Sequence, residues 1–332
     1  MNKIFSGTRS SGKLHLGNYL GAIKNWIELQ TKADQAIFAV VDLHGITTPY
    51  DPKTYKQQVM DVVLDYLAAG VDPEKSLLIR QSKILQHQEL AWILSTITPI
   101  GWLERLPNYR EKVEQVDESA GDKSKSYSNN LSLLAYPVLM AADILVYKSN
   151  LVPVGDDQKQ HIDITNEIAS KFNYLFGETF SPVKMHRAQG ARIMSLQDPS
   201  KKMSKTGDDG IALSDDPDLI MSKIKKAVTD SGSEILAKEE KPAITNLLTI
   251  FSLLSGKTIS DIESSYQGKT YSDFKNDLGQ VVIEFLRPFQ TRRKEFENDP
   301  ERVASILEKS EIKAREIATT TMNDIKKKMG LI

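Results

Sequence analysis

Two stretches of this chain combine residue types that suit phosphate chemistry. The first is Ser6-Gly7-Thr8-Arg9-Ser10-Ser11-Gly12-Lys13-Leu14-His15-Leu16-Gly17-Asn18. Its glycines let a nucleotide lie against bare backbone, and the start of a following helix offers N–H groups and positive potential. His15 is placed to donate a hydrogen bond to a phosphate oxygen as charge builds on it. The spacing is neither a Walker loop nor G-x-G-x-x-G, so a dinucleotide site fits poorly. Alone, a glycine-rich strand–helix turn with an incidental histidine remains an alternative. The second stretch is Asp198-Pro199-Ser200-Lys201-Lys202-Met203-Ser204-Lys205-Thr206-Gly207. Lys202 and Lys205 act there as movable point charges for a polyphosphate, and they can stabilise a leaving pyrophosphate chiefly in the transition state. Charge runs are usually solvated faces. At about 5% per letter, however, the tetrad Lys-Met-Ser-Lys arises by chance in a chain this long with a probability on the order of 10⁻³, which weighs against accident.

The elements around these stretches alternate. Lys3–Ser6 reads as a strand, and Tyr19, Leu20, Ile23, Trp26 and Ile27 recur at helical spacing. Ala36–Val41 is a continuous apolar run of the kind found in buried parallel strands. Asp51-Pro52 opens a helix with a capping residue and a proline at its first position, and Gly70 closes it. Ser76–Arg80 predicts a strand, His87–Thr96 a helix, Leu131–Tyr147 an apolar helix bent at Pro137, Leu151–Val154 a strand and Asp156–Phe172 a helix. This rhythm predicts an α/β fold, a doubly wound parallel-sheet (Rossmann-like) nucleotide-binding domain. Residues 110–130 are polar and read as a mobile connecting loop between the two halves of the sheet. After about Asp215 the strand signal stops, and Leu219–Val228, Ala243–Leu254, Tyr271–Phe289 and Glu301–Met329 read as helices. The expected organisation is a catalytic domain over 1–205, with a connecting insertion at about 103–150, and a helical C-terminal domain over 206–332.

Composition bounds the remaining classes. The chain has 332 residues, with 43 Lys plus Arg against 44 Asp plus Glu, so its formal net charge is −1. That rules out a uniformly basic nucleic-acid coat but leaves room for a basic face. The absence of cysteine excludes disulfides, thiolate metal sites and a cysteine nucleophile. No apolar run is long enough to span a membrane, and the N-terminus enters a strand-like run with no leader pattern, so the expected location is cytoplasmic.

The two stretches, taken with their separation, resemble the signatures of class I aminoacyl-tRNA synthetases: His15-Leu16-Gly17-Asn18 after the first strand, and Lys202-Met203-Ser204-Lys205-Thr206 near the end of the sheet domain. Tyr136-Pro137-Val138-Leu139-Met140-Ala141-Ala142-Asp143-Ile144-Leu145, Val152-Pro153-Val154-Gly155-Asp156-Asp157-Gln158, Gly190-Ala191-Arg192-Ile193-Met194-Ser195 and Ala227-Val228-Thr229-Asp230-Ser231 are similar to segments of the bacterial tryptophanyl-tRNA synthetases. The resemblance covers nearly the whole chain. It departs from the family at Ser10, where proline is frequent, at Asn18, where the general pattern has a second histidine, at Thr206, where serine is usual, and in a longer loop over 111–129.

The resemblance implies ATP and L-tryptophan as substrates, Mg²⁺ carried on the ATP phosphates, tRNA(Trp) as the second substrate, and a homodimer. It implies catalytic roles for His15, Lys202 and Lys205. ATP would contact Arg9, Ser10, Ser11, Gly17, Asn18, Gly155, Asp156, Asp157, Ile193, Lys202, Met203, Ser204, Lys205 and Thr206. Tryptophan would be held by Asp143, as acceptor of the indole N–H, by Met140 against the ring, and by Phe5, His44, Val152, Val154 and Gln158. No metal is assigned to protein ligands. Read alone, Asp143 could equally be a structural carboxylate, and His44 a core histidine. His161 with Asp163 reads as helix surface rather than a metal site, Trp26, Trp92 and Trp102 as packing residues, and Arg287, Arg292, Arg293, Lys294 and Lys326–Lys328 as mostly solvated faces, one of which meets tRNA phosphates. The alternatives are a tyrosyl-tRNA synthetase, expected to carry glutamine at the Met140 position, a nucleotidyltransferase of related fold, and a non-catalytic synthetase-like paralogue. The intact set His15, Lys202, Lys205 and Asp143 argues against the last.

Overall fold

A computed structural model describes residues 2–10, 12–106, 130–187, 193–204 and 209–332. Ser11, the loop expected over 111–129, Gly190–Arg192, Lys205 and Thr206 lie outside the described residues. The strands are β1 (Lys3–Thr8), β2 (Gln35–Val40), β3 (Leu77–Arg80), β4 (Leu151–Val154) and β5 (Lys184–Arg187). All pairings are parallel, in the order β3-β2-β1-β4-β5, with Phe5 opposite Ile37 and Ile4 opposite Leu151. Between them run α1 (Leu16–Asn18), a π turn (Tyr19–Ile23), α2 (Lys24–Leu29), α3 (Asp42–Gly45), α4 (Pro52–Ala69), α5 (Gln86–Ser95), α6 (Ile100–Glu104), α7 (Leu131–Leu145) and α8 (Lys159–Phe176). The C-terminal helices are α9 (Pro217–Lys226), α10 (Pro242–Ser255), α11 (Ile259–Ser265), α12 (Tyr271–Glu297) and α13 (Pro300–Lys328).

Parallel strands covered on both faces explain the unbroken apolar run of β2, which is buried from Ala36 onward. Alternate residues feed opposite cores. Ile4, Phe38, Val40 and Leu78 join one, with α4 and the helices after residue 217, while Phe5, Ile37, Ala39 and Ile79 join the other, with α7 and α8. The last helix serves both: Val303 and Leu307 lie in the first core, and Ala314, Ala318, Met322 and Ile325 in the second. Arg80 at the end of β3 anchors it through a two-point pair with Glu311, at 2.7 and 3.0 Å.

α4 shows how local signals set an element. Asp51 caps it by accepting from the Lys53 N–H at 2.9 Å, Pro52 starts it, and Gly70 ends it at φ +112°, a left-handed conformation that glycine adopts without a Cβ penalty. α12 lies against α4. There the expectation of a solvated basic face is corrected at Arg293, which turns inward to Asp65 at 2.7 Å and Asp61 at 3.0 Å and also pairs with Glu297. Burial outweighs this guanidinium and raises the Asp65 carboxyl to about 6. Among the described residues no helix is long and apolar enough to cross a membrane.

Candidate active site

In an open parallel sheet, the crevice lies beyond the carboxyl ends of the strands, where the winding reverses. Here that point falls between β1 and β4, because the chain winds out from β1 through β2 to β3 and returns with β4 on the other side of β1. A cavity of about 560 Å³ opens there, lined by Phe5–Arg9 from β1 and its end, by Val41 and His44 beyond β2, and by Val152–Gly155, Asp157 and Gln158 from β4 and its end.

One group of lining residues gathers around His15. His15 caps α1: its Nδ1 accepts from the Asn18 N–H at 3.3 Å, and the Asn18 side-chain oxygen accepts from the His15 N–H at 3.1 Å. This reciprocal cap makes Nδ1 an acceptor and leaves the imidazole proton on Nε2. The chain around His15 pairs with a distant stretch. The Leu16 N–H donates to the Ile211 carbonyl, and the Leu213 N–H to the Leu14 carbonyl, both at 2.9 Å. That pairing brings the lysine loop to the histidine. A Cβ on Gly17 would lie 3.0 Å from the His15 ring and 3.5 Å from the Met203 Cβ. Gly210 carries a tighter constraint, since a Cβ there would come within 2.7 Å of both the Met203 side chain and the Ser204 carbonyl. Lys202 and Ser204 line the cavity with His15, Asn18 and Arg9. Burial lowers the Arg9 guanidinium below its ordinary value, opposed by Tyr136 and Tyr55, but a guanidinium keeps its proton.

A second group of lining residues is centred on α7. Asp143 on α7 is 3% exposed and reaches the cavity with Met140 one turn earlier. Phe5, Val152, Val154, Gln158 and His44 line the same space. His44 meets Tyr136 edge to face with centroids 4.9 Å apart, and the Tyr136 hydroxyl lies 2.8 Å from His161 Nε2.

The structure therefore brings together on one cavity His15, Lys202, Arg9, Asn18, Gly155, Asp157 and Ser204 from the expected catalytic and nucleotide set. It adds Asp143, Met140, Phe5, His44, Val152, Val154 and Gln158 from the expected amino-acid set. Ser10, Gly17, Asp156, Ile193 and Met203 do not line it. Ser10 is buried and donates to the Tyr55 hydroxyl at 2.8 Å, while Asp156 is exposed. Ile193 accepts at its carbonyl from the Met203 N–H at 3.1 Å, so both are buried supports of the lysine loop. Two expectations are corrected. His161 is not helix surface but buried, facing the cavity from α8, because its side of the helix carries Ile162, Thr165 and Ile168 inward. Trp92 is not a packing residue, being 75% exposed on α5. Trp26 packs flat on Phe38 and also borders the cavity.

Sequence reasoning missed Asn246, whose side chain grips the segment before the lysine loop by accepting from the Met194 N–H at 2.9 Å and donating to its carbonyl at 3.0 Å. It also missed Gln81 and His87 behind Asp143. No local signal marks a polar side chain that satisfies a backbone or carboxylate far away in the chain.

A cavity at the switch point of a parallel sheet is the ligand-binding place of open α/β proteins. Comparison with known proteins narrows the class. Residues 1–287 match the family of class I tRNA synthetases for tryptophan and tyrosine. A tryptophan–tRNA ligase of Bacillus anthracis is 44% identical over all of this chain and 98% of its own length, and one of Helicobacter pylori is 43% identical over 99% of each. The tryptophanyl-tRNA synthetase structure from Mycoplasma pneumoniae aligns with a TM-score of 0.87 at 33% identity, over 99% of this chain and 98% of that one. The Campylobacter jejuni enzyme, complexed with ADP and tryptophan, aligns at 0.84 and 33% over 99% of each. A tyrosyl-tRNA synthetase from Aeropyrum pernix shares the fold at 0.67 and 19% identity. The chain belongs to the class I synthetase family and, within it, to the bacterial tryptophanyl-tRNA synthetases.

Proposed function

We propose that the chain activates L-tryptophan with ATP in this cavity, and then passes the tryptophanyl group to the terminal adenosine of tRNA(Trp). In the first step a carboxylate oxygen of tryptophan attacks the α-phosphorus, the bond to the bridging oxygen breaks, and pyrophosphate leaves. The carboxylate is already ionised, so no general base is needed, and the work is positioning and charge stabilisation. His15 Nε2–H, Lys202 and Lys205 supply that stabilisation as charge moves onto the leaving phosphates. Arg9, Asn18, Gly155 and Asp157 border the nucleotide. Mg²⁺ belongs to ATP in this reading, because the phosphate oxygens are its natural donors.

Asp143 accepts the indole N–H, and Met140 and Phe5 face the ring, where a thioether packs well. A ring without that donor leaves one acceptor direction of the buried carboxylate unmet, which can be worth about 10²-fold or more in discrimination. In the second step the 2′-OH of the terminal adenosine attacks the adenylate carbonyl and AMP leaves. The helical region over 206–332 contributes the anticodon contact.

The observation that carries this reading is the convergence of Asp143 with His15 and Lys202 on one cavity. ATP–pyrophosphate exchange with each of the twenty amino acids tests it. Exchange with tryptophan alone is expected, and exchange with tyrosine alone overturns it. A cytoplasmic homodimer completes the reading. Leu85, Trp92 and Ile100 are exposed around α5 and α6, with Leu85 and Trp92 seven residues apart and so on one side, an apolar surface that a second subunit would cover.

A further inference from the structure

Asp143 is held from behind. Its Oδ1 accepts from Gln81 Nε2 at 2.8 Å and from His87 Nδ1 at 2.6 Å, and its Oδ2 accepts from Gln81 Nε2 at 2.8 Å. Gln81 and His87 are both fully buried, and neither lines the cavity. They come from different elements, Gln81 from the turn after β3 and His87 from the first turn of α5.

Each partner is itself fixed. Gln81 Oε1 accepts from the Leu43 N–H at 3.0 Å and the His44 N–H at 3.2 Å. Turning the amide over would set NH₂ against two N–H groups and oxygen against a carboxylate, so its orientation is determined. His87 Nε2 lies 2.7 Å from the Tyr147 hydroxyl. Burial, with Asp143 nearby, raises that hydroxyl well above its ordinary value, so it remains an O–H that can donate to Nε2. The imidazole proton then sits on Nδ1, facing Asp143, and an imidazolium would direct a proton the same way.

An ionised carboxylate offers about four acceptor directions. Donors within the protein occupy two on Oδ1 and one on Oδ2, which leaves a single direction on Oδ2 for the cavity. The geometry points to Gln81 and His87 as specificity-determining positioning residues, which clamp Asp143 so that it presents one fixed acceptor to a substrate ring carrying one in-plane N–H. This rests on the reading of Asp143 as the indole acceptor. A loosely held carboxylate could rotate to meet water or a displaced hydroxyl, and discrimination would fall even though the acidic group remained.

The test is ATP–pyrophosphate exchange with L-tryptophan and with its benzothiophene analogue, in which sulfur replaces the ring N–H. The wild-type enzyme is expected to prefer tryptophan by about 10²-fold or more in kcat/KM. Gln81→Met and His87→Leu are each expected to reduce that preference about tenfold, through a higher KM for tryptophan, with the KM for ATP and the use of the analogue little changed. His87→Asn keeps a donor near the Nδ1 position and is expected to restore much of the preference. It also carries the comparison if His87→Leu does not fold. Equal losses on both substrates, with the preference intact, would overturn the clamp and leave only a structural role. Asp143→Ala separates the underlying reading: an abolished preference supports it, whereas an unchanged preference removes Asp143 as the acceptor, whatever Gln81 and His87 do.

Discussion

The two ends of the cavity are built by opposite means. Among the side chains assigned to the amino acid, Asp143, Gln81, His87 and Tyr147 pair with one another in the interior, and the Tyr136 hydroxyl meets His161 across the cavity wall. At the phosphate end, Lys202 and Asp157 are exposed, and His15 stands on a helix of three residues held by backbone pairing to residues 211–213. Recognition of a ring needs a fixed direction, which buried, fully paired donors provide. Stabilisation of a leaving pyrophosphate needs charge delivered when it forms, and flexible ammonium groups supply that. On the proposed reading, buried and paired groups serve the ring, and exposed lysine serves the phosphates.

The sharpest way to break this contrast is Asp143→Ala. Tryptophan-dependent exchange is expected to fall by about 10³-fold or more, with ATP affinity nearly unchanged. Equal damage to both in steady-state kinetics would assign Asp143 a structural role. Next comes Lys202→Ala, and Lys205→Ala beside it, each expected to lower kcat for adenylate formation by about 10²-fold while tryptophan binding is kept. An unchanged single-turnover rate would remove the loop from the chemistry.

A third test concerns the anchor of the phosphate end. Asp65 meets the Leu14 N–H, next to His15, as well as Arg293 of α12. Its carboxyl is raised from 3.8 to about 6, so the folded state binds a proton more tightly than the unfolded chain. Stability from this group is therefore full below about pH 4 and is lost as pH rises through about 6, on the order of 3 kcal/mol in all. Urea unfolding from pH 4 to 7 should show that slope in the wild type and a flatter one in Asp65→Asn. Identical profiles would discard the assignment. The smallest effect is expected from salt. Raising ionic strength to about 0.5 M should weaken ATP use by a few-fold through screening of the exposed lysines and leave the tryptophan KM nearly constant, in a parallel titration of both substrates.

Much of the fold was legible in local patterns. Asp51, Pro52 and Gly70 bounded α4, and the apolar run at Ala36 marked β2, because caps and burial act over a few residues. β5 was not legible: Lys184-Met185-His186-Arg187 carries no apolar run, and its strand pairing comes from β4 alone. The seven-residue α11 went unread as well, and α12 runs past its expected end at Phe289 to Glu297, through Pro288. Arg293, read as solvated, pairs inward because α4 places Asp61 and Asp65 beside it, and His161 faces the cavity because α8 presents that side to the core.

The sequence by itself determined which chemical groups are present and their local settings: the histidine at a helix start, the lysines in a loop, the carboxylate on an apolar helix. Periodicity and capping specify those settings because they depend on neighbours within a turn or two. Only the tertiary structure decided which of these groups share a cavity, and which buried partners hold Asp143. Gln81 lies 62 residues from it and His87 56. A buried polar atom must find its partner in space, and the chain folded around it determines which residue that is.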